Sequence, residues 1–208
     1  MITDTSPRQR RHNKTKESIL QAARELIAEK GIDGLSLRAL AHRIDYSPSG
    51  LYEYFHSKDE LVTAVCAEGM ERLNDYLTSV PADLPPTERL FKMGLAYLDF
   101  ARQNPEHFRL IFTDIVAPAT AFDEPPIEGD PYQTLLQAVQ DAIETGAINL
   151  QPGYHLHEIA YTLWALVHGM AMLEQTHLRY VQTDFDTIHR HALEIFAAGF
   201  QTKKLSER

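Results

Sequence analysis

The stretch Leu35–Leu61, LSLRALAHRIDYSPSGLYEYFHSKDEL, decides the fold of the N-terminal part of this 208-residue chain. Three of its serines, Ser36, Ser47 and Ser57, each precede a run of apolar residues at helical spacing. Serine is a preferred helix N-cap, because its hydroxyl accepts a hydrogen bond from a backbone N–H of the first turn. The stretch therefore predicts two short helices after Ser36 and Ser47, and a longer fourth helix that begins at Lys58.

A further helix is predicted before this stretch, over residues 15–30. Its apolar residues recur at the spacing of one helix face, and they are Ile19, Ala22, Ala23, Leu26 and Ile27. Gly31 ends the helix. A support helix followed by two short helices is the outline of a helix-turn-helix unit.

Beyond the fourth helix the hydrophobic pattern stays helical to the end of the chain. Helices are predicted near residues 87–104, 106–116, 131–145, 156–176 and 184–203, and no run alternates as a strand does. The predicted fold is all-α, with about nine helices. We expect a flexible basic arm over residues 1–14, a three-helix helix-turn-helix domain over 15–60, and a helical effector-binding and dimerisation domain over 61–208.

The net charge of −9 is unevenly distributed along the chain. Residues 1–58 carry a charge of +3, and residues 59–208 carry −12. Screening limits exposed charges to a range of roughly 8–10 Å at physiological salt. An acidic chain can therefore still present a local basic face to DNA.

Composition also bears on location and on metal binding. The single cysteine, Cys66, excludes an intramolecular disulfide and a cysteine-based metal cluster. The pairs His155/His157 and His189/His191 diverge by roughly 200° on a helix, so neither pair forms a chelating face. We expect no metal and no cofactor. Without an apolar span or signal region, we also expect a cytoplasmic protein with no membrane partner.

The pattern Ser47-x-x-Gly50-Leu51-Tyr52-x-Tyr54-Phe55-x-Ser57-Lys58-x-Glu60-Leu61 resembles the N-terminal signature of TetR-family transcription regulators. A second pattern, Trp164-Ala-Leu-Val-His168-Gly169, resembles the Trp/His/Gly motif of one subgroup of their C-terminal domains. One position departs from the family: Asp45 stands where a turn glycine is usual. Asp tolerates positive φ better than most residues, so we expect the turn to be kept.

The resemblance and the side-chain types together give a set of candidate DNA-binding residues. Arg38 can fork onto guanine O6 and N7, worth roughly 1–3 kcal/mol of discrimination, unless it is merely solvated. Gly50 indicates space for close approach of DNA, unless it is a tolerated defect, and Tyr52 is nearly as well explained by packing. The whole set comprises Ser36, Arg38, Ser47, Pro48, Ser49, Gly50, Tyr52, Tyr54 and Lys58. The arm residues Arg10, Arg11 and Lys14 either contact DNA or only aid solubility.

The last two predicted helices are candidates for a dimer interface, because both are apolar on more than one face. Their apolar residues are Ile159, Leu163, Leu166, Val167, Met170 and Leu173 in one helix and Ile188, Leu193, Ile195, Phe196 and Phe200 in the other. A dimer would give two-fold symmetry and a palindromic DNA site.

Aromatic and apolar residues of the body could line a pocket for an apolar or aromatic effector. The candidate ligand-binding residues are Phe91, Leu95, Phe108, Phe112, Trp164 and His168. Plain core packing is the commoner meaning of such stripes. For Trp164 and His168, one turn apart, a packing role is at least as common as ligand contact.

These observations favour a sequence-specific DNA-binding transcription regulator, with repression expected from the family. An effector would move helices that rest on the fourth helix and release the operator. The rival hypothesis is an all-α ligand carrier or enzyme whose helix-turn-helix no longer binds DNA. No nucleophile-plus-base pairing, phosphate-cradling glycine loop or His-Glu-x-x-His arrangement favours an enzyme.

Overall fold

The computed structural model describes residues 6–114, 129–149 and 153–201, apart from the side chains of 113, 114 and 199–201. Over these residues the chain is all-helical, as predicted, with nine α-helices and no strand. The helices are α1 (Pro7–Lys30), α2 (Leu37–Arg43), α3 (Pro48–Leu51), α4 (Lys58–Thr78), α5 (Pro86–Gln103), α6 (Pro105–Arg109), α7 (Pro131–Glu144), α8 (Leu156–Gln175) and α9 (Phe185–Gln201). A 3₁₀ turn covers Ile32–Gly34, and a π-helical segment, Leu110–Asp114, continues α6.

The three serine caps are present at the predicted helix starts. The Ser36 hydroxyl accepts from the backbone N–H of Ala39 at 3.1 Å, and the Ser47 hydroxyl accepts from that of Gly50 at 3.0 Å. Ser57 caps α4 in the same way. The local signals that fix these helix starts therefore act within three residues of each serine.

The described chain packs as two compact units. Of the described residues, the first unit contains 6–69 and 106–114, and the second contains 70–105, 129–149 and 153–201. This differs from the predicted boundary at residue 60/61. Leu61 and Val65 of α4 and Leu110 are almost fully buried in the same core as α1 and α2, so these segments belong with the first unit.

The core of the first unit is apolar and continuous. The predicted α1 stripe supplies five of its members, and α2 supplies Leu37, Leu40 and Ala41. Leu51 and Phe55 complete the contact between the α2–α3 pair and α1. At Gly69 a Cβ atom would lie 2.9 Å from Ile111 Cγ2, so this glycine permits the close approach of α4 to the π-helical segment.

The predicted flexible arm is in part helical. α1 begins at Pro7 rather than near residue 15, so residues 7–14 belong to a regular helix. Ser6 caps it by accepting from the N–H of Gln9 at 3.2 Å, and proline is favoured at the first helical position. The apolar pattern starts only at Ile19, which is why periodicity alone placed the helix start too late.

The second unit is built around α5, which packs against α7, α8 and α9. Arg89 of α5 binds Asp141 of α7 at 2.8 Å. Arg102 of α5 binds Glu174 of α8 at 3.0 Å and also pairs with Asp186 of α9. Polar bridges thus join α5 to each of its three partners alongside the apolar packing.

Candidate nucleic-acid interface and effector site

The α2–α3 pair in the first unit forms the helix-turn-helix. Leu40 and Leu51 are fully buried between these helices and α1, which leaves the opposite faces of α2 and α3 exposed. Asp45 in the turn has φ +51°, as the departure from glycine predicted. The N–H of Tyr46 donates to the carbonyl of Ala41 at 2.9 Å and closes the turn. The small residues Ser47, Pro48 and Ser49 at the start of α3 are all exposed, as are Ser36 and Arg38 of the α2 start.

Two arginines of α2 have different surroundings. Arg43 is held by Glu29 at 2.7 and 2.9 Å and by Glu25 at 3.1 Å. These bonds raise its pKa, the Glu29 hydrogen bond most. Arg38 is exposed and pairs with no carboxylate of the described residues. Of the two, only Arg38 has its guanidinium donors available for an external acceptor.

The third helix, α3, spans only the four residues Pro48–Leu51. α3 ends at Leu51, and residues 52–54 form turns, so Tyr52 does not share a helix face with Leu51 and Phe55. Tyr52 is 51% exposed. Tyr54 is half-buried and packs against the core of the first unit, so its hydroxyl is the part that could reach a phosphate.

Gly50 has a neighbour inside the protein itself. A Cβ at this position would lie 2.8 and 3.0 Å from two ring carbons of Tyr46. The Tyr46 ring also meets Tyr54 edge-on, with centroids 6.4 Å apart. The structure therefore gives Gly50 an internal role, making room for Tyr46, beside the predicted role of admitting DNA.

Lys58 is held at the first position of α4 by a reciprocal cap. The Ser57 hydroxyl accepts from the N–H of Glu60 at 3.0 Å, and the Glu60 carboxylate accepts from the N–H of His56 at 2.6 Å. These two side-chain hydrogen bonds to backbone N–H groups stabilise the start of α4. Lys58 is half-buried there, on the element that directly follows the helix-turn-helix.

The predicted effector residues fall into two groups. Phe91, Leu95, Trp164 and His168 belong to the second unit, whereas Phe108 and Phe112 belong to the first. The Phe108 and Phe112 rings are 5.1 Å apart, and Phe108 is fully buried in the first unit. The Phe91 ring lies 6.0 Å from the guanidinium of Arg190.

A hydrogen-bonded aromatic cluster in the second unit joins Trp164 and His168 to a residue that the sequence reasoning missed. The Tyr97 hydroxyl of α5 lies 2.9 Å from Nδ1 of His168, and Trp164 Nε1 donates to that hydroxyl at 3.4 Å. Tyr132 of α7 lies against Trp164, with centroids 5.8 Å apart, and stacks on His157. Burial raises the pKa of Tyr97 and lowers that of His168. We call these five residues the aromatic cluster.

Tyr97 could have been found from the sequence. It lies four residues after Met93 and four before Ala101, in the buried stripe of α5. A tyrosine in such a stripe buries a hydroxyl that needs a partner. His and Trp one turn apart on another apolar helix supply both a possible acceptor and a donor.

Among the described residues, no group of three or more His, Cys, Asp or Glu side chains has a metal-binding arrangement. Nor does any helix there have both the length and the apolar character to cross a bilayer.

Family models match both parts of the chain. A model of bacterial regulatory proteins of the tetR family matches residues 19–65. A model of the tetracyclin repressor-like C-terminal domain matches residues 90–196, more than half of the chain. The chain belongs to the TetR family. This confirms the resemblance seen at Ser47–Leu61, while the Trp/His/Gly subgroup of the C-terminal domain stays a prediction.

Individual TetR-family relatives match more narrowly. The class D tetracycline repressor protein of Escherichia coli is 35% identical over 94 residues, which are 45% of this chain and 38% of that protein. The uncharacterized regulator YobS of Bacillus subtilis is 26% identical over 94 residues, 45% of this chain and 49% of that protein. The match thus spans half or less of either relative. A TetR-family regulatory protein from Rhodococcus RHA1 shares the fold, with a TM-score of 0.69, 18% identity, and coverage of 90% of this chain and 97% of that one.

Proposed function

We propose that this TetR-family protein is a homodimeric, sequence-specific transcriptional repressor that leaves a palindromic operator when a small apolar or aromatic effector binds. It acts by binding and catalyses no reaction. Its place of action is the cytoplasm, where its DNA lies. The observation that carries the proposal is the exposed, serine-capped α3, packed on α2 through Leu40 and Leu51. In a helix-turn-helix this helix is the one that enters the major groove.

Direct base contact is assigned to the α2–α3 surface. Arg38 supplies the bidentate donors that guanine recognition needs, and its guanidinium lies outside any internal ion pair of the described residues. Ser47, Pro48, Ser49 and Gly50 allow close approach, since their side chains are small. Ser36, Tyr52, Tyr54 and Lys58 are assigned to phosphates, which fix the orientation of the protein on the duplex.

Exposed apolar residues on α8 and α9 support the homodimer. Tyr161 and Leu173 of α8 are 54% and 50% exposed, and Ile188 and Ile195 of α9 are 47% and 75% exposed. Burial of such side chains stabilises association by about 25 cal/mol per Å² of apolar surface before association costs. Two copies related by a two-fold axis would then present two α3 helices to a palindrome.

The aromatic cluster is our candidate for effector recognition. Tyr97, Trp164 and His168 combine aromatic surface with hydrogen-bonding groups, the composition typical of small-molecule sites. A ligand with an apolar or aromatic body and one polar group would place that group against Tyr97 and His168. It would replace the hydrogen bond between these two side chains with its own. Phe91 and Leu95 of the same helix, α5, are half-buried and would contact its apolar part.

Coupling to DNA is proposed to run along the chain from α5. α5 ends at Gln103 and α6 begins at Pro105, while residues 106–114 belong to the first unit, where Ile111 meets Gly69 of α4. A ligand-induced change in α5 would thus reach the first unit through a single connecting residue. Opposed ligand and DNA binding of this kind corresponds to a coupling free energy of about 1–3 kcal/mol.

The decisive experiment selects bound sequences from random duplex DNA and measures affinities on the recovered site. A palindrome is expected, with Arg38→Gln losing about 5- to 100-fold in affinity per half-site of the cognate duplex and losing its preference at one base pair of each half-site. Arg43→Gln removes the same charge from the same helix and should keep that preference. Binding that is absent, or indifferent to sequence, would favour the rival ligand carrier or enzyme.

A further inference from the structure

The first ten residues of α1, nearly three helical turns, carry cations that no acidic residue offsets. Residues 7–16 contain Arg8, Arg10, Arg11, Lys14 and Lys16 but neither Asp nor Glu. These five side chains are exposed, and none is paired with a carboxylate in the described parts of the chain. The N-terminal end of a helix already bears partial positive charge, so cations there are unfavourable unless an anion lies close. An external anion bound here would therefore be stabilised both by the unpaired cations and by the partial positive charge of the helix start.

Ring contacts fix this part of α1 beside the helix-turn-helix. The His12 ring stacks on Tyr54, with centroids 4.5 Å apart and planes 18° from parallel. The ammonium of Lys16 lies 5.7 Å from the centre of the Phe55 ring. The start of α1 thus lies next to Tyr54, which we have assigned to the DNA interface.

Helical spacing separates four of these cations into two sets, and the fifth, Lys16, lies over the Phe55 ring. At about 100° per residue, Arg8 lies about 40° from His12 around the helix, and Arg11 about 100° from it. Arg10 and Lys14 lie about 160° from His12, on the opposite side. Arg8 and Arg11 are therefore nearer to the face that carries the contact with Tyr54.

We propose that the first two turns of α1 are a second DNA-contacting element, in which Arg8 and Arg11 bind backbone phosphates beside α3. His12 is a positioning residue that orients them by stacking on Tyr54. Arg10 and Lys14, which the sequence suggested as arm contacts, point away and bind no phosphate. This inference rests on the proposed DNA-binding function.

Two charge-matched double variants test the assignment by fluorescence anisotropy on the selected duplex. Arg8→Gln/Arg11→Gln should weaken binding about tenfold or more and reduce the slope of log K against log salt by about 2 per protomer, or about 4 for the dimer, since each phosphate contact contributes about 0.9. Arg10→Gln/Lys14→Gln removes the same charge and should change affinity less than about twofold. The preference for cognate over scrambled duplex should persist in both, because phosphate contacts carry no sequence information.

Two substitutions at His12 test whether its ring acts by stacking on Tyr54. His12→Ala should lower affinity for the duplex about threefold and reduce the salt slope, because the start of α1 loses its stacking contact with Tyr54. His12→Phe keeps an aromatic ring on Tyr54 and should restore both values. A loss of affinity in His12→Phe equal to that in His12→Ala would show that His12 does not act by stacking, and would overturn its positioning role.

The outcomes separate this inference from the proposed function. If wild-type protein fails to distinguish cognate from scrambled duplex, the proposed function fails. If it distinguishes them and the two double variants behave alike, only the assignment of Arg8 and Arg11 fails. Circular dichroism and thermal melting of each variant should match wild type, since all four cations are exposed.

Discussion

The Tyr97 hydroxyl lies 2.9 Å from Nδ1 of His168 and thereby joins α5 to α8 inside the second unit. Trp164 Nε1 donates to the same hydroxyl, and in the Nε2–H tautomer of a neutral His168 the tyrosine O–H donates to Nδ1. His168 then accepts at Nδ1 and carries its proton at Nε2. This order of donors requires a neutral His168, in agreement with the burial that lowers its pKa.

Stability should therefore fall in mild acid. An unfolded histidine titrates near 6.5, whereas burial lowers the pKa of folded His168. Below pH of about 6.5 the unfolded state takes up a proton that the folded state does not, so the free energy of unfolding decreases as pH falls toward the folded pKa. Urea unfolding at several pH values between 7.5 and 5.5 would measure this decrease.

His168→Asn provides the control for that titration. Asparagine keeps an oxygen acceptor for the Tyr97 hydroxyl but does not titrate, so its unfolding free energy should depend less on pH. Some dependence should remain, because burial also lowers the pKa of His189. Equal pH slopes in variant and wild type would contradict the neutral, buried state of His168.

Arg102 should contribute more to stability than an ordinary surface cation. It joins α5 to Glu174 and Asp186 on two other helices, and the Glu174 hydrogen bond is the largest cause of its raised pKa. Arg102→Ala should lower the free energy of unfolding by about 1–2 kcal/mol, after discounting for its partial exposure. Lys92→Ala breaks a pair with Glu88 on one helix and should cost no more than about 0.5 kcal/mol. Equal effects in chemical denaturation would show that the three-helix bridge adds nothing.

Helix starts in this chain follow from neighbouring residues in the sequence, whereas contacts between distant residues do not. Ser36, Ser47 and Ser57 determine helix starts through contacts within three residues, so those starts could be predicted. The start of α1 has a signal of the same kind in Ser6 and Pro7, but periodicity placed it too late because no apolar stripe precedes Ile19. The contact of His12 with a partner 42 positions further along the chain could not be predicted. Such contacts between distant positions leave no periodic signal.

In the candidate sites, too, the sequence predicts which residues take part but not which contacts they make. Side-chain type and the family resemblance singled out Arg38, but only the fold shows that Arg43 of the same helix is held by Glu25 and Glu29. The link of Tyr97 to His168 depends on how α5 packs on α8, which spacing along either helix does not specify. Sequence could therefore name candidate residues but not tell which are already engaged.

Asp45→Gly should stabilise the protein without changing DNA selectivity. Asp45 has φ +51°, a conformation that costs a residue with a Cβ about 1 kcal/mol or more relative to glycine. We expect the unfolding free energy to rise by roughly 0.5–1 kcal/mol in the glycine variant. Asp45→Val should lower it, since a β-branched residue fits this region worst. A glycine variant less stable than wild type would mean that the Asp45 side chain, rather than its backbone, matters in the turn.

Gly50→Ala separates the two roles of this glycine. If Gly50 makes room for Tyr46, the new Cβ must displace that ring, because it would lie 2.8 Å from a ring carbon. DNA affinity should then fall in Gly50→Ala, while the Tyr46→Ala/Gly50→Ala protein should bind as tightly as Tyr46→Ala alone. If Gly50 instead admits DNA, the methyl group should weaken binding equally in both backgrounds. Anisotropy titrations of the four proteins give the coupling between the two positions, and a value of zero would refute the internal role.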